Sequence, residues 1–338
     1  MNQRRNIMLL IALFAFVLGV VMATTGKRGG VKHEVPAGNE VPLDPTAKVV
    51  VVGVYVNQIH EFSLRDDSFT VDFYLWFRWK DPELKPYESF SVVDGRIESR
   101  TDAVVRELPD GEKHAYTRVV AKITRFFDVS DYPLDNHQLA IIVEEEDLES
   151  QKLRYVADTD NSAASPTILL PGWDFERLSS LAGVGSYHSN FGDPTLPKGN
   201  EASYARLTTA VAFTRVGANF FVKLFFGLWA CVLLSYLAFF MRPSNVDPRF
   251  GVGVGALFGA IASQYVVANA LPDTNVITLA DQMHLTAFFF IISSVTQSTV
   301  SLWLFETERL DASKRFDQVC RVVFPIAYFL ATWWLLRD

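Results

Sequence analysis

With 338 residues, the chain is long enough for two domains of ordinary size. Its formal net charge of −7 excludes the broad basic face that a nucleic-acid partner needs, and its two cysteines, Cys231 and Cys320, exclude a disulfide framework. The 49% of hydrophobic residues is ordinary in amount but uneven in place. It concentrates in a short N-terminal run and in the last third, the pattern of a water-exposed domain followed by a membrane domain.

The N-terminus carries Arg4 and Arg5 and then an apolar run from Ile7 to Ala23. This is the layout of a secretory signal, with Val21-x-Ala23 as its cleavage site. A retained first transmembrane helix is the alternative, and the run is at the short edge of spanning length. In either case the segment that follows is exported. The expected division is a signal peptide at 1–23, a linker at 24–47 and an extracellular or periplasmic β domain at 48–215.

From Lys48 to Arg215, short alternating runs are separated by turn signals. VVVVGVYVNQI (49–59), FTVDFYLWFRW (69–79), HAYTRVVAKITRFF (114–127), HQLAIIVE (137–144) and YARLTTAVAFTR (204–215) are rich in β-branched and aromatic residues at a period of two. Val71, Phe73, Leu75 and Phe77 alternate with Asp72, Tyr74, Trp76 and Arg78, which predicts a strand with one buried face. Pro109-Asp110-Gly111 reads as a hairpin turn. No helical pattern of comparable strength interrupts these runs, so the domain is expected to be an all-β, immunoglobulin-like sandwich outside the cytoplasm. Catalytic and metal constellations are missing from it. The run Glu144-Glu145-Glu146-Asp147 suits either Ca²⁺ or, more simply, a solvated acidic face. DTDNS (158–162) begins like a calcium loop without its glycine and closing glutamate, and the six histidines have no metal-ligand spacing. No enzyme activity, cofactor or metal is expected.

Four apolar segments follow: VGANFFVKLFFGLWACVLLSYLAFFM (216–241), FGVGVGALFGAIASQYVVANALP (250–272), LADQMHLTAFFFIISSVTQSTVSLWLF (279–305) and FDQVCRVVFPIAYFLATWWLL (316–336). Each is long enough to cross a hydrocarbon core of about 30 Å as a helix. An all-α, four-helix transmembrane domain is expected over 216–338, with helices near 216–241, 249–271, 280–305 and 316–336. The connections RPSNVDPR and ETERLDASKR are basic, whereas DTNVIT has no positive charge. The positive-inside rule puts the first two in the cytoplasm, and the β domain and the C-terminus outside. The expected location is the cell (inner) membrane, crossed several times.

The second segment opens on GVGVGALFGA (251–260), in which Gly251, Gly253 and Ala256 fit the glycine fingerprint of dinucleotide sites. That fingerprint needs a strand before it and a water-soluble helix after it. Here a short turn precedes it and a helix about a membrane thick follows, so the nucleotide reading fails. At helical spacing Asp247, Gly251, Gly255, Phe258, Ala262, Tyr265 and Asn269 share one face. An acid at one mouth, small residues next, an aromatic in the middle and a polar far end suit the lining of a water-filled path between several copies. Close packing of small residues is the alternative for the glycines. Gly253 and Gly259 fall off the stripe and are expected to serve that packing.

In this order of elements the chain resembles the pentameric ligand-gated ion channels, the Cys-loop receptors and their prokaryotic relatives. FDVSDYPLDNHQL (127–139) resembles the family's signature loop, with Tyr132-Pro133-Leu134-Asp135 as its aromatic-Pro-x-Asp core. Arg125 and Leu139 stand where that loop has its cysteines, as in the prokaryotic branch. FRWKDPEL (77–84), PGWDF (171–175), Arg215 before the first membrane helix, and the run from Arg249 to Leu271-Pro272 follow the family's pattern, as does the short third-to-fourth connection.

The resemblance implies a homopentamer in membrane lipid, with the second helix around a path for small ions. It also implies coupling residues: Asp66 and Asp67 in the Ser63–Phe69 loop, and Tyr132, Pro133 and Asp135 in the signature loop, resting on the Pro272–Thr278 linker with Arg215 among the acids. The chain departs from the family between Trp79 and Phe127, where the W-x-P segment of the agonist site is missing. Tyr187, Phe191 and Tyr204 flank the remaining candidate ligand loop, and they serve either as ligand contacts or as ordinary strand aromatics. The stimulus is an unknown small-molecule agonist or protons. Asp247 at the inner mouth favours cations, with Arg249 off its stripe, and Phe258 is the candidate gate with Tyr265 a second constriction. A non-conducting membrane-anchored sensor with a receptor-like sandwich is the alternative.

Overall fold

The computed structural model describes residues 47–189, 192 and 202–337. The signal peptide, all of the linker but its last residue, and Phe191 lie outside the described residues. The chain forms two compact units: residues 47–128 and 136–216 make one, and residues 129–135 and 217–337 the other.

The first unit is a two-sheet sandwich. Its strands are β1 (Lys48–Ser63), β2 (Ser68–Trp79), β3 (Phe90–Val92), β4 (Gly95–Arg100), β5 (Val104–Glu107), β6 (Lys113–Thr124), β7 (Asn136–Glu149), β8 (Leu153–Ala157), β9 (Ala163–Ala164), β10 (Trp173–Tyr187) and β11 (Ala202–Arg215). One sheet runs β4-β6-β2-β1-β8, with β5 paired to β6 and β9 to β1, and the other runs β10-β11-β7-β3. Alternation decides which side chains enter the core. Val50, Val52, Val54 and Val56 of β1 and Val71, Phe73, Leu75 and Phe77 of β2 are fully buried, as are Leu139, Ile141 and Val143 of β7 and Leu207, Val211 and Phe213 of β11. Phe77 meets Phe90 of the opposite sheet at 5.6 Å between ring centroids. Each such aromatic contributes about 3–5 kcal/mol against truncation to alanine. The predicted turn at Pro109–Gly111 joins β5 to β6, and Gly111 takes the left-handed φ of 77° that this tight connection requires.

Asp72 departs from simple alternation, being buried on the other face of β2. Arg118 of β6 donates to it from Nε and Nη2 at 2.9 and 2.6 Å, and Asn57 of β1 at 2.8 Å. The Arg118 hydrogen bonds hold its carboxyl below the usual aspartate range. Truncating Asp72 would strand these donors and cost about 2 kcal/mol.

The second unit contains four helices, each long and apolar enough to cross a membrane: α1 (Gly217–Leu237), continued by a short 3₁₀ turn at Ala238–Phe240, α2 (Val246–Ala268), α3 (Leu279–Glu306) and α4 (Leu310–Arg337). Helix α4 starts six residues before the apolar run at 316–336. Leu310, Ala312, Lys314 and Arg315 are good helix formers, and Asp311 lies at the positive end of the helix dipole. Only residues 307–309 therefore separate α3 from α4, fewer than the polar stretch ETERLDASKR had indicated. Pro325 inside α4 removes the N–H that would bond the Arg321 carbonyl. Tyr236 of α1 takes that acceptor, its hydroxyl donating at 2.8 Å while its ring stacks on Phe324.

Residues 129–135 cluster with the helices. The first amides of a helix have no partner within it. At the start of α3, Leu279 and Ala280 donate to the carbonyls of Ser130 and Tyr132 at 2.8 and 3.1 Å. Thr278 and Asp281 complete the end as a reciprocal capping box. The Tyr132 ring stands edge-on to Phe220 of α1 at 6.2 Å, and the Tyr132–Pro133 peptide is cis.

Candidate functional site

Helix α2 has two unlike sides. Arg249, Gly253, Ala256, Ala260 and Val267 are buried against the other helices. A Cβ at Gly253 would stand 2.6 Å from Cγ2 of Val295 on α3, and one at Gly259 would stand 2.6 Å from Sγ of Cys231 on α1. A larger residue at either position would force the neighbouring side chain to shift, so these two glycines favour the close approach of α2 to its neighbours. A Cβ at Gly251 or Gly255 would meet nothing within 4 Å. Asp247, Gly251, Gly255, Phe258, Ala262, Tyr265 and Asn269 are all exposed, Phe258 at 68% and Tyr265 at 70%. The exposed side is wider than this stripe and includes Val254, Ile261 and Val266. Near its C-terminal end, Asn269 donates from Nδ2 to the Tyr265 carbonyl at 2.9 Å.

Two residues before Gly251, Arg249 points the opposite way and is 1% exposed. Its Nη2 donates to Asp317 Oδ1 of α4 at 2.8 Å and to Gln297 Oε1 of α3 at 3.2 Å. Its Nη1 donates to Asp317 Oδ2 and to the Met241 carbonyl, both at 3.3 Å, and its Nε to Ser298 Oγ at 3.2 Å. Gln297 Nε2 in turn donates to Asp317 Oδ1 at 2.6 Å. Helical spacing had put Arg249 off the stripe. Its partners were not apparent, because Asp317 lies in a different apolar segment and only its position near a segment start hinted at a shared end of the bundle.

In the β unit, the structure brings Tyr187 and Tyr204 together, their rings 6.2 Å apart on β10 and β11. The Tyr187 hydroxyl donates to Glu144 Oε1 of β7 at 2.5 Å. Arg206 of β11 donates from Nε to Glu144 Oε2 at 2.7 Å and pairs with it through Nη2 at 2.6 Å. The same Nη2 lies 3.1 Å from the Tyr187 oxygen. Burial and the Glu144 carboxylate push the Tyr187 phenol up to about 12. A Cβ at Gly185 would overlap both Glu144 and Arg206, which explains the glycine. The sequence around Glu144 suited Ca²⁺ or a solvated face, and nothing in it marks Arg206 as its partner.

The solvated acidic face expected at 144–147 is corrected: Glu144 and Glu145 are buried, and only Glu146 and Asp147 are exposed. In its sheet β7 lies between β11 and β3, and every residue from Leu139 to Glu145 is buried, so both faces of the strand are covered there. The register with β11 breaks only beyond Glu144, where Tyr204 pairs with Glu149. Glu145 accepts from the Tyr155 hydroxyl at 3.2 Å and from the Asp147 amide at 3.3 Å. Burial nevertheless raises its pKa above the usual glutamate range. A carboxyl whose folded pKa is raised contributes stability below its unfolded pKa, and loses it as pH rises through the folded value. Glu145→Gln is therefore expected to make the β unit more stable at neutral pH. The gain should shrink on acidification just above the ordinary glutamate pKa, as read by thermal melts across that range; a constant difference between the two proteins would contradict this. Among the described residues, no group of three or more His, Cys, Asp or Glu side chains is placed to hold a metal ion.

The expected coupling residues have definite local partners. Asp66 Oδ2 accepts from the Ser63 hydroxyl at 2.8 Å, and Asp67 Oδ1 accepts from the Phe127 amide at 3.2 Å. The Arg215 guanidinium lies over the Trp173 ring, 4.1 Å from its centroid. Trp173 packs in turn on Phe62 and His137. Tyr132 and Asp135 are buried, Pro133 follows the cis peptide, and Pro272 is half-buried in the α2–α3 connection.

A β-sandwich followed by four helices fit to cross a membrane, the second with an exposed face of small and aromatic residues, defines a multi-pass membrane protein. No protein-family profile matches the chain. It is 19% identical over 309 residues to the proton-gated ion channel of Gloeobacter violaceus, covering 86% of this chain and 83% of that protein. It is 19% identical to the mouse gamma-aminobutyric acid receptor subunit theta over 80% of this chain, and 20% identical to the human subunit rho-3 over 81%. The chain spans 44% and 62% of the lengths of those two. These relatives are ion channels and receptor subunits, and they support the resemblance of the chain to the pentameric ligand-gated ion channels.

Proposed function

We propose that the chain forms a homopentameric, cation-selective channel opened by protons or by a small-molecule agonist. Its pore is lined by the Asp247, Gly251, Gly255, Phe258, Ala262, Tyr265 and Asn269 face of α2. The observation that carries this reading is the contrast between the two sides of α2. A membrane helix with a glycine-and-alanine back packed on α1 and α3, and a front carrying Asp247 and Asn269 on one line, is suited to facing water among copies of itself. The exposed Val254, Ile261 and Val266 beside the stripe suit contact with neighbouring copies.

In this reading the β unit lies outside the cell (inner) membrane. The Asp66–Asp67 turn, the Tyr132–Asp135 loop, Arg215 and Pro272 transmit the signal. The agonist side includes Tyr187 and Tyr204, with Phe191 between them in sequence. The similarity to a proton-gated channel supports protons as the stimulus, and buried Glu145 is a carboxyl whose protonation is eased by its surroundings. The similarity to gamma-aminobutyric acid receptor subunits supports a small organic agonist instead.

Single cysteines placed from 247 to 269, in a chain with Cys231 and Cys320 replaced, test the pore. Block by a water-soluble thiol reagent is expected at 251, 255, 258, 262, 265 and 269 and not at 253, 256 or 260. Block without helical periodicity would contradict it.

A further inference from the structure

We infer that Asp317 of α4 is a specificity-determining residue: by pairing with Arg249 it removes a positive charge from the pore mouth and leaves Asp247 to set ion preference. This rests on α2 lining the pore, as proposed above. Arg249 lies two residues from Asp247, at the same end of α2. An uncompensated guanidinium there, repeated in every subunit, would put as many positive charges around the mouth as Asp247 puts negative ones. In a low-dielectric wall such charges act at a distance even when they do not touch the path.

The structure shows a device that cancels them. The side chains of Arg249 and Asp317 are 0% and 5% exposed, and their nearest N–O distance is 2.8 Å. A guanidinium has five N–H donors. The bonds to Ser298, Met241, Gln297 and the two Asp317 oxygens occupy all five. Arg249 therefore has no donor left for a passing anion. Its charge is neutralised within the same buried cluster, and Gln297 holds both partners at once. Asp317 acts through Arg249 and does not touch the path, so it is a positioning residue for selectivity. Nothing in the stability of the bundle requires an ion pair here, since apolar residues of similar volume often replace such a pair without loss.

The test is the reversal potential of reconstituted channels under a salt gradient, with assembly checked by size-exclusion chromatography. Asp317→Asn leaves Arg249 charged and is expected to lower the cation-to-anion permeability ratio by roughly tenfold or more. The double replacement Arg249→Met with Asp317→Leu removes both charges and should keep the wild-type ratio. Should Asp317→Asn fail to assemble, the double replacement still decides: an unchanged ratio supports the inference, and a shift in either direction overturns it. An assembled Asp317→Asn channel with the wild-type ratio also overturns it. Asp247→Asn separates this from the pore reading. If Asp247→Asn lowers the ratio and Asp317→Asn does not, only the present inference fails; if Asp247→Asn has no effect, the assignment of the mouth fails first.

Discussion

Phe258→Ser is expected to give a channel that conducts without stimulus. Phe258 is 68% exposed on the open side of α2, flanked on its stripe by Gly255 and Ala262. Between small residues, one ring per subunit makes the narrowest apolar point of the proposed pore, and such a constriction closes by expelling water. The closed state then owes part of its stability to apolar surface that these rings bury against one another. Losing about 1 kcal/mol per subunit from five subunits would shift the closed-to-open balance by more than about a thousandfold. Resting current from Phe258→Ser vesicles at neutral pH, compared with Phe258→Leu, measures this. A closed resting state in the serine variant would remove Phe258 from the gate and leave Tyr265, 70% exposed and two turns further along, as the constriction to examine.

Arg215→Ala is expected to abolish gating. Arg215 ends β11, immediately before α1, so any signal carried along β11 into the first membrane helix passes through it. Its guanidinium lies over Trp173, whose ring packs on Phe62 and His137. A desolvated contact of this kind is worth about 2 kcal/mol, comparable to the energy that moves a two-state equilibrium by more than tenfold. The measurement is stimulated current per assembled channel. Arg215→Lys, which keeps the charge but not the planar stacking, separates the two contributions. Normal currents from Arg215→Ala would end the coupling account.

The sandwich and the four helices were readable because both rest on local periodicity. Val71 to Phe77 alternate because one face of β2 is buried, and the α2 stripe repeats because side chains recur with the helical turn. For the same reason the α2 glycines off the stripe, Gly253 and Gly259, are those with close neighbours, while Gly251 and Gly255 have none within 4 Å. What local pattern does not carry is partnership across the chain. Nothing around Glu144 announces that both faces of β7 are covered there and bury two consecutive glutamates, or that Arg206 and Tyr187 on other strands receive one of them. Asp317 reads as one polar residue at the edge of an apolar run until the fold brings α4 to the base of α2. Helix α4 also outruns its apolar segment, since propensity continues where hydropathy stops. Trp76 lies across Gly53 of the neighbouring strand, so that Gly53 has no room for a Cβ. A glycine in a strand gives no sign of which side chain it admits.

Helix α2 is proposed to surround a conducting, cation-preferring path that a stimulus opens. The most direct measurement is current through the purified protein in planar bilayers, under a salt gradient, while the pH on the side of the β unit is ramped downward and candidate organic agonists are then added. Currents are expected to appear with the stimulus and to reverse close to the cation equilibrium potential. An assembled, membrane-inserted protein that passes no current under either stimulus, or one whose current reverses at the anion potential, would contradict the proposed pore.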